Sequence, residues 1–164
     1  MSAQIPTLSV RQPWAWAIIH AGKDVENRSA RSITLGRMGP GMIHIHAAKG
    51  MSRDEYESAA AFMSGIGVAC PQPADLIRSA IIGAVTVVGI VRLHPSPWFF
   101  GPCALVLASP IALCPIPGPG KLGYFEHLVT GTVAEPLPWM VSRNGAKAKS
   151  APEPDPLPLF GDVA

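Results

Sequence analysis

The chain has 164 residues, room for one domain with a core of its own and little for a second. Apolar residues make up 48% and charged residues 15%, which excludes an intrinsically disordered chain. The formal charge of +2 is too small for the whole surface to bind nucleic acid non-specifically. No apolar run reaches the roughly 18 residues of a membrane span, and Arg11 and Gln12 interrupt the first apolar stretch too early for a secretory leader. A soluble, cytoplasmic protein is expected. The three cysteines, Cys70, Cys103 and Cys114, are odd in number and have no CxxC spacing, which predicts buried free thiols.

In chain order, Ile5 to Val10 reads as a strand. Pro13 then suits a first helical turn, Trp14 to Ala21 a short helix, and Gly22 its stop. Lys23 to Arg28 leaves as an extended segment. Arg31 to Gly41, with three glycines and a proline, reads as a loop, and Met42 to Ala47 as a strand. Ser52 followed by Glu55 forms a capping-box pattern that opens an Ala-rich helix over Ser52 to Phe62. After the break at Cys70 to Pro73, Ala74 to Arg78 suggests another helical turn. Ile81 to Leu93 is the longest predicted strand, and Pro95 and Pro97 end it. Ala104 to Leu113 is another strand interrupted at Pro110, and Gly123 to Val129 a last strand or short helix. Strands not regularly separated by long helices predict a small α+β barrel rather than a doubly wound sheet.

Composition shifts at Pro136, beyond and including which lie six of the eighteen prolines. The division expected is a folded domain over 1–141 and a Pro-rich flexible tail over 142–164.

Charge is unevenly spread. Between Arg11 and Lys49 stand six basic residues against two acids, a local +4 able to line one anionic-ligand site. In the extended segment, Glu26 and Arg28 share a face, while Lys23 points away unless the backbone kinks at Gly22. Gathered together, Lys23 and Arg28 could hold an anion while Glu26 accepts or delivers a proton. The plainer alternative is a surface Glu-Arg pair beside a solvated lysine. Arg11 can pair with phosphate and Trp14 can stack on a base, or Trp14 and Trp16 can simply anchor the helix. At helical spacing the two tryptophans point to different sides. His44 and His46 lie on one strand face, where a packed or hydrogen-bonded pair fits better than a metal site without a third ligand. No metal and no cofactor is predicted. Ser29 and Lys49 could complete a polar cleft wall.

Ser9-Val-Arg-Gln-Pro-Trp14 followed by Gly22-Lys-Asp-Val-Glu-Asn-Arg28 resembles the signature of the ASCH domain family. Ile43 to Lys49, Trp98 to Leu107 and Pro115 to Tyr124 resemble further ordered motifs of that family, so the likeness covers about Ile5 to Phe125. The resemblance implies a PUA-like β-barrel whose cleft holds the Lys-Glu-Arg motif beside the first helix, with RNA or a nucleotide as ligand. It also raises a hydrolase acting on a modified nucleoside such as N4-acetylcytidine, or on single-stranded RNA, with Lys23 and Glu26 as catalytic partners. Amidohydrolase members, however, carry a threonine nucleophile where this chain has Glu26. Their later-strand glutamate has no counterpart, since Ile81 to Leu93 contains no carboxylate. Finally, Pro156 to Phe160 resembles the short peptide by which bacterial replication and repair proteins dock on the sliding clamp. Leu157, Leu159 and Phe160 would be its anchors, and a third reading is therefore an adaptor that recruits a partner through its tail.

Overall fold

The structure is a computed structural model and describes residues 3–141. The tail, including the clamp-like Leu157, Leu159 and Phe160, lies outside the described residues. The fold is α+β, with six strands, three short α-helices and two single 3₁₀ turns among the described residues. In chain order these are β1 (Thr7–Val10), α1 (Trp14–His20), β2 (Val25–Arg28), α2 (Ala30–Leu35), β3 (Gly41–Ala47), α3 (Arg53–Gly65), β4 (Ala80–Val91), β5 (Cys103–Pro117) and β6 (Tyr124–Phe125). They form one mixed sheet in the order β2-β5-β4-β3-β1-β6. Only β1 and β3 pair in parallel.

This sheet is strongly curled. On a flat sheet, β2 and β1 would stand four strand spacings apart, roughly 19 Å. Yet the Arg28 guanidinium on β2 donates to the Ser9 carbonyl on β1 at 3.0 Å. The curl wraps the sheet around α1, whose Ala15, Ile18 and Ile19 join Leu8, Val10, Ile45, Val85 and Leu105 in the main core. Close approach of helix and sheet requires Gly83 on β4, because a Cβ there would stand 2.4 Å from Ile19 Cδ1. Gln12 ties the helix start to the body: its amide oxygen accepts from Trp16 N–H and its amide nitrogen donates to the Ile77 carbonyl.

Helix α3 begins as the sequence predicts. Ser52 Oγ accepts from the Glu55 N–H, the Glu55 carboxylate accepts from the Ser52 N–H, and the helix runs on to Gly65. Four expectations need correction. The segment read as a loop opens with helix α2, because Ser29 supplies an N-cap acceptor and Ala30 to Leu35 contains no breaker; the glycines begin only at Gly36. The turn placed at Ala74 to Arg78 is a 3₁₀ turn at Pro73–Asp75. The longest strand is β5, not β4, and it passes Pro110. Opposite Ala84 to Thr86, β5 bulges out by one residue, so Ser109 and Pro110 lie where the ladder needs no N–H. Of the cysteines only Cys103 is buried; Cys70 is half-buried and Cys114 exposed on the outer stretch of β5. No helix among the described residues is long and apolar enough to cross a membrane.

Candidate functional site

The gap between the sheet's curled ends, β2 on one side and β1 on the other, opens into a cleft of about 740 Å³. Its near wall runs from Gly22 to Arg28. Gly22 adopts φ +72°, a left-handed conformation that reverses the chain after α1, with Lys23 N–H donating back to the Ala17 carbonyl. That turn supplies the kink needed to bring Lys23 onto the side of Glu26. Lys23 Nζ donates to Glu26 Oε2 at 2.7 Å and to the Val25 carbonyl. Arg28 reaches the other carboxylate oxygen, Oε1, at 3.2 Å. Lys23 is 4% and Glu26 8% exposed, so the alternative of a solvated lysine beside a surface pair does not hold. A charge group this deeply placed needs mutual compensation, and here two cations share one carboxylate. Arg28 Nε is buried and has no hydrogen-bond partner among the described residues.

Other candidates fare differently. Arg11 lines the cleft, but its guanidinium is engaged in a two-pronged pair with Glu55, both contacts at 2.7 Å. The Arg11 hydrogen bond and then the Ser52 N–H hold the Glu55 carboxyl well below the usual range, at about 2. Trp14 lines the cleft and packs against Phe62, Trp98 and Phe100, while Trp16 turns away toward His20. Lys49 lies exposed at the rim. Ser29 is not part of the wall: it is exposed and its hydroxyl oxygen is occupied in capping α2. That correction follows from the helix replacing the expected loop.

The far wall comes from the segment Gly118–Gly123, and sequence reasoning did not single out its residues as a site. His46, fully buried, holds it. Its Nε2 faces the Gly118 carbonyl at 2.8 Å, which can only accept, so Nε2 carries the proton and Nδ1 accepts from Ser9 Oγ at 2.9 Å. Burial, more than the neighbouring His127, pushes the His46 pKa down; the Gly118 bond opposes this in part. The two strand histidines are therefore not a ligand pair, since His46 is committed to the fold. Gly120 lies so close over this pair that a Cβ would be 2.7 Å from Ser9 Oγ. The segment thereby presents Lys121 and Leu122 at the mouth, Leu122 with its side chain almost fully in solvent.

Asn27 was also missed. Its side chain accepts from Phe100 N–H and Gly101 N–H and donates to the Trp98 carbonyl, fixing the loop that projects Phe100 over the cleft. Its position inside the Lys-Glu-Arg motif was the available signal, as were exposed aromatics before Gly101-Pro102 for Phe100 and a lysine between glycines for Lys121.

In sum of charge, among the described residues five cations line the cleft (Arg11, Lys23, Arg28, Lys49, Lys121) against the single carboxylate Glu26. Glu55 offsets Arg11, which leaves three positive charges, and Lys49 and Lys121 have no ion-pair partner among the described residues. The arrangement suits an anion carrying a flat ring: cationic donors within, and Phe100, Trp14 and Leu122 as apolar lips. No family model and no curated protein sequence matches this chain.

Proposed function

We propose that the cleft binds a nucleotide or a short stretch of RNA, with the domain acting as a recognition module. The observation that carries this reading is the convergence of a buried Lys23–Glu26–Arg28 cluster with two unpaired rim lysines beneath exposed apolar lips. The rim lysines take phosphate as mobile point charges, and Phe100 or Trp14 supplies a face for the base. The Glu26 cluster offers a fixed polar edge against which base functional groups can be read. The resemblance of Ser9–Trp14 and Gly22–Arg28 to the ASCH signature supports the same reading, and under it the curled sheet is an incomplete form of the PUA-like barrel.

The test is a titration of ribonucleoside 5′-monophosphates and short RNAs, followed by thermal stabilisation and calorimetry, since a ligand held only by the native state raises its stability. Saturable binding is expected, with Lys49→Glu and Lys121→Glu each weakening it without loss of folding, because both side chains are exposed. For single-stranded RNA, each lysine removed should reduce the slope of log affinity against log salt by about 0.7. Binding that ignores both substitutions and salt would defeat the proposal.

A second reading is a hydrolase acting on a modified nucleoside. It is favoured by one observation, the Lys23–Glu26 pair poised at the cleft wall. Against it stands the engagement of both Glu26 oxygens by cations. Turnover of N4-acetylcytidine or single-stranded RNA, abolished by Glu26→Gln while binding persists, would select this reading over simple recognition.

A further inference from the structure

A second hollow of about 600 Å³ adjoins the cationic cleft and shares Arg11, Trp14 and Phe100 with it. Beyond that shared ridge it extends along helix α3, past Ser58, Ala59 and Phe62. We infer that this groove is a subsite for the base of the adjacent nucleotide, so that the ligand is a single strand of at least two residues; the inference rests on the nucleotide reading of the cleft.

Three observations point there. First, the groove has an aromatic wall already fixed in place. Phe62 and Phe100 meet edge to face at 5.0 Å, Trp14 and Phe62 lie tilted at 5.9 Å, and Asn27 holds the Phe100 loop. Phe100 is nonetheless 61% exposed, an apolar surface that a stacked ring would cover. Second, the charges are divided between the hollows. Lys23, Arg28, Lys49 and Lys121 line the cleft and not the groove, whereas the groove's rim carries Asp54, which has no ion-pair partner among the described residues, and Glu55, already neutralised by Arg11. A phosphate would be repelled at the groove and held at the cleft, while an uncharged planar base meets no such penalty. Third, the two hollows meet at Phe100, which lines both. A strand with its phosphate on the rim lysines can therefore place one base in the cleft and the next against the other side of the same ridge.

Calorimetry with 5′-mononucleotides and the corresponding 5′-phosphorylated dinucleotides tests this on the full chain. The dinucleotide is expected to bind roughly tenfold tighter, the gain of one stacked base. A dinucleotide whose second residue is abasic should lose that gain, which separates stacking from added charge. Ser58→Glu on the exposed face of α3, and Phe62→Leu, should each abolish the gain and leave mononucleotide affinity within about twofold. Equal affinity for the two lengths, or a gain that survives both substitutions and the abasic probe, overturns the groove assignment while leaving the cleft intact. Absence of binding by either length defeats the cleft reading itself and the groove with it.

Discussion

On the near side of the cleft, the stretch from Gly22 to Arg28 supplies the buried charge cluster almost unaided: Lys23 meets Glu26 three residues on, and Arg28 meets the same carboxylate two residues later. On the far side, Gly118–Gly123 has no regular structure and is anchored at Gly118 by hydrogen bonds to His46, 72 positions away, and to Ser79. Ser9 in turn hydrogen-bonds His46. One wall is built from charges that neighbour one another along the chain. The other is built from shape: glycines thin enough to lie against Ser9, His46 and Gly36. Local chemistry can thus make a reactive surface, but a concavity also needs an opposing wall contributed by distant chain.

Removing a charge from the near wall should produce the largest effect. Glu26→Leu leaves Lys23 buried without its carboxylate and is expected to cost about 3–5 kcal/mol, read by urea unfolding at pH 7. Adding Lys23→Met should restore most of that stability yet leave nucleotide binding lost. A double variant as unstable as the single one would show that the cluster is more than compensated charge.

The far wall should fail by collision instead. In Gly123→Ala, the new Cβ would lie 2.4 Å from Gly36 Cα at φ +69°. Overpacking and backbone strain together predict a loss of about 3 kcal/mol. The near-wall Gly22, at φ +72° but with nothing within 4 Å, should lose only about 1 kcal/mol on the same change, from strain alone. Equal losses would erase the contrast between the walls.

His46→Leu sharpens the comparison further. Stranding the Ser9 hydroxyl, and leaving the Gly118 carbonyl only the longer bond from Ser79 Oγ, should cost about 1–3 kcal/mol at neutral pH. Because burial lowers the His46 pKa in the native state, the unfolded chain binds more protons below its ordinary value of 6.5. Native stability should therefore hold above about pH 6.5 and fall as pH drops below it, and the variant should show a shallower fall. His44, shifted in the same direction, keeps the residual slope from vanishing.

The smallest effect belongs to the exposed Arg11–Glu55 pair. Glu55→Gln should cost less than about 1 kcal/mol at pH 7, because solvent screens the pair. Because Arg11 and the Ser52 N–H lower the Glu55 carboxyl pKa in the native state, its contribution is complete above the ordinary value of 4.5 and fades as pH falls from 4.5 toward 2. The stability curves of the two proteins should converge over that interval.

Much of the cleft's near side was legible in the sequence for this reason of locality. The Ser52–Glu55 capping box, the stop at Gly22 and the crowding of Lys23, Glu26 and Arg28 all involve partners within a few residues. Helix α2 was equally local but was obscured by the glycines from Gly36 onward, which made the preceding turn look like loop. Ser29, which by sequence could complete the cleft wall beside Lys49, instead caps that helix with its hydroxyl oxygen. Pro110 misled in a different way: a strand tolerates proline at a bulge, and the bulge exists only through pairing with β4.

What the chain determined by itself, then, is an α+β composition of short elements and one charged stretch primed to fold back on itself, since such features depend on turn geometry and neighbours in sequence. Tertiary structure alone decided that the sheet curls until Arg28 reaches Ser9, that Asn27 and His46 hold two distant loops as lips, and that Phe100 separates two hollows. These depend on contacts between residues tens of positions apart, and no periodicity or spacing along the chain encodes which of them will meet.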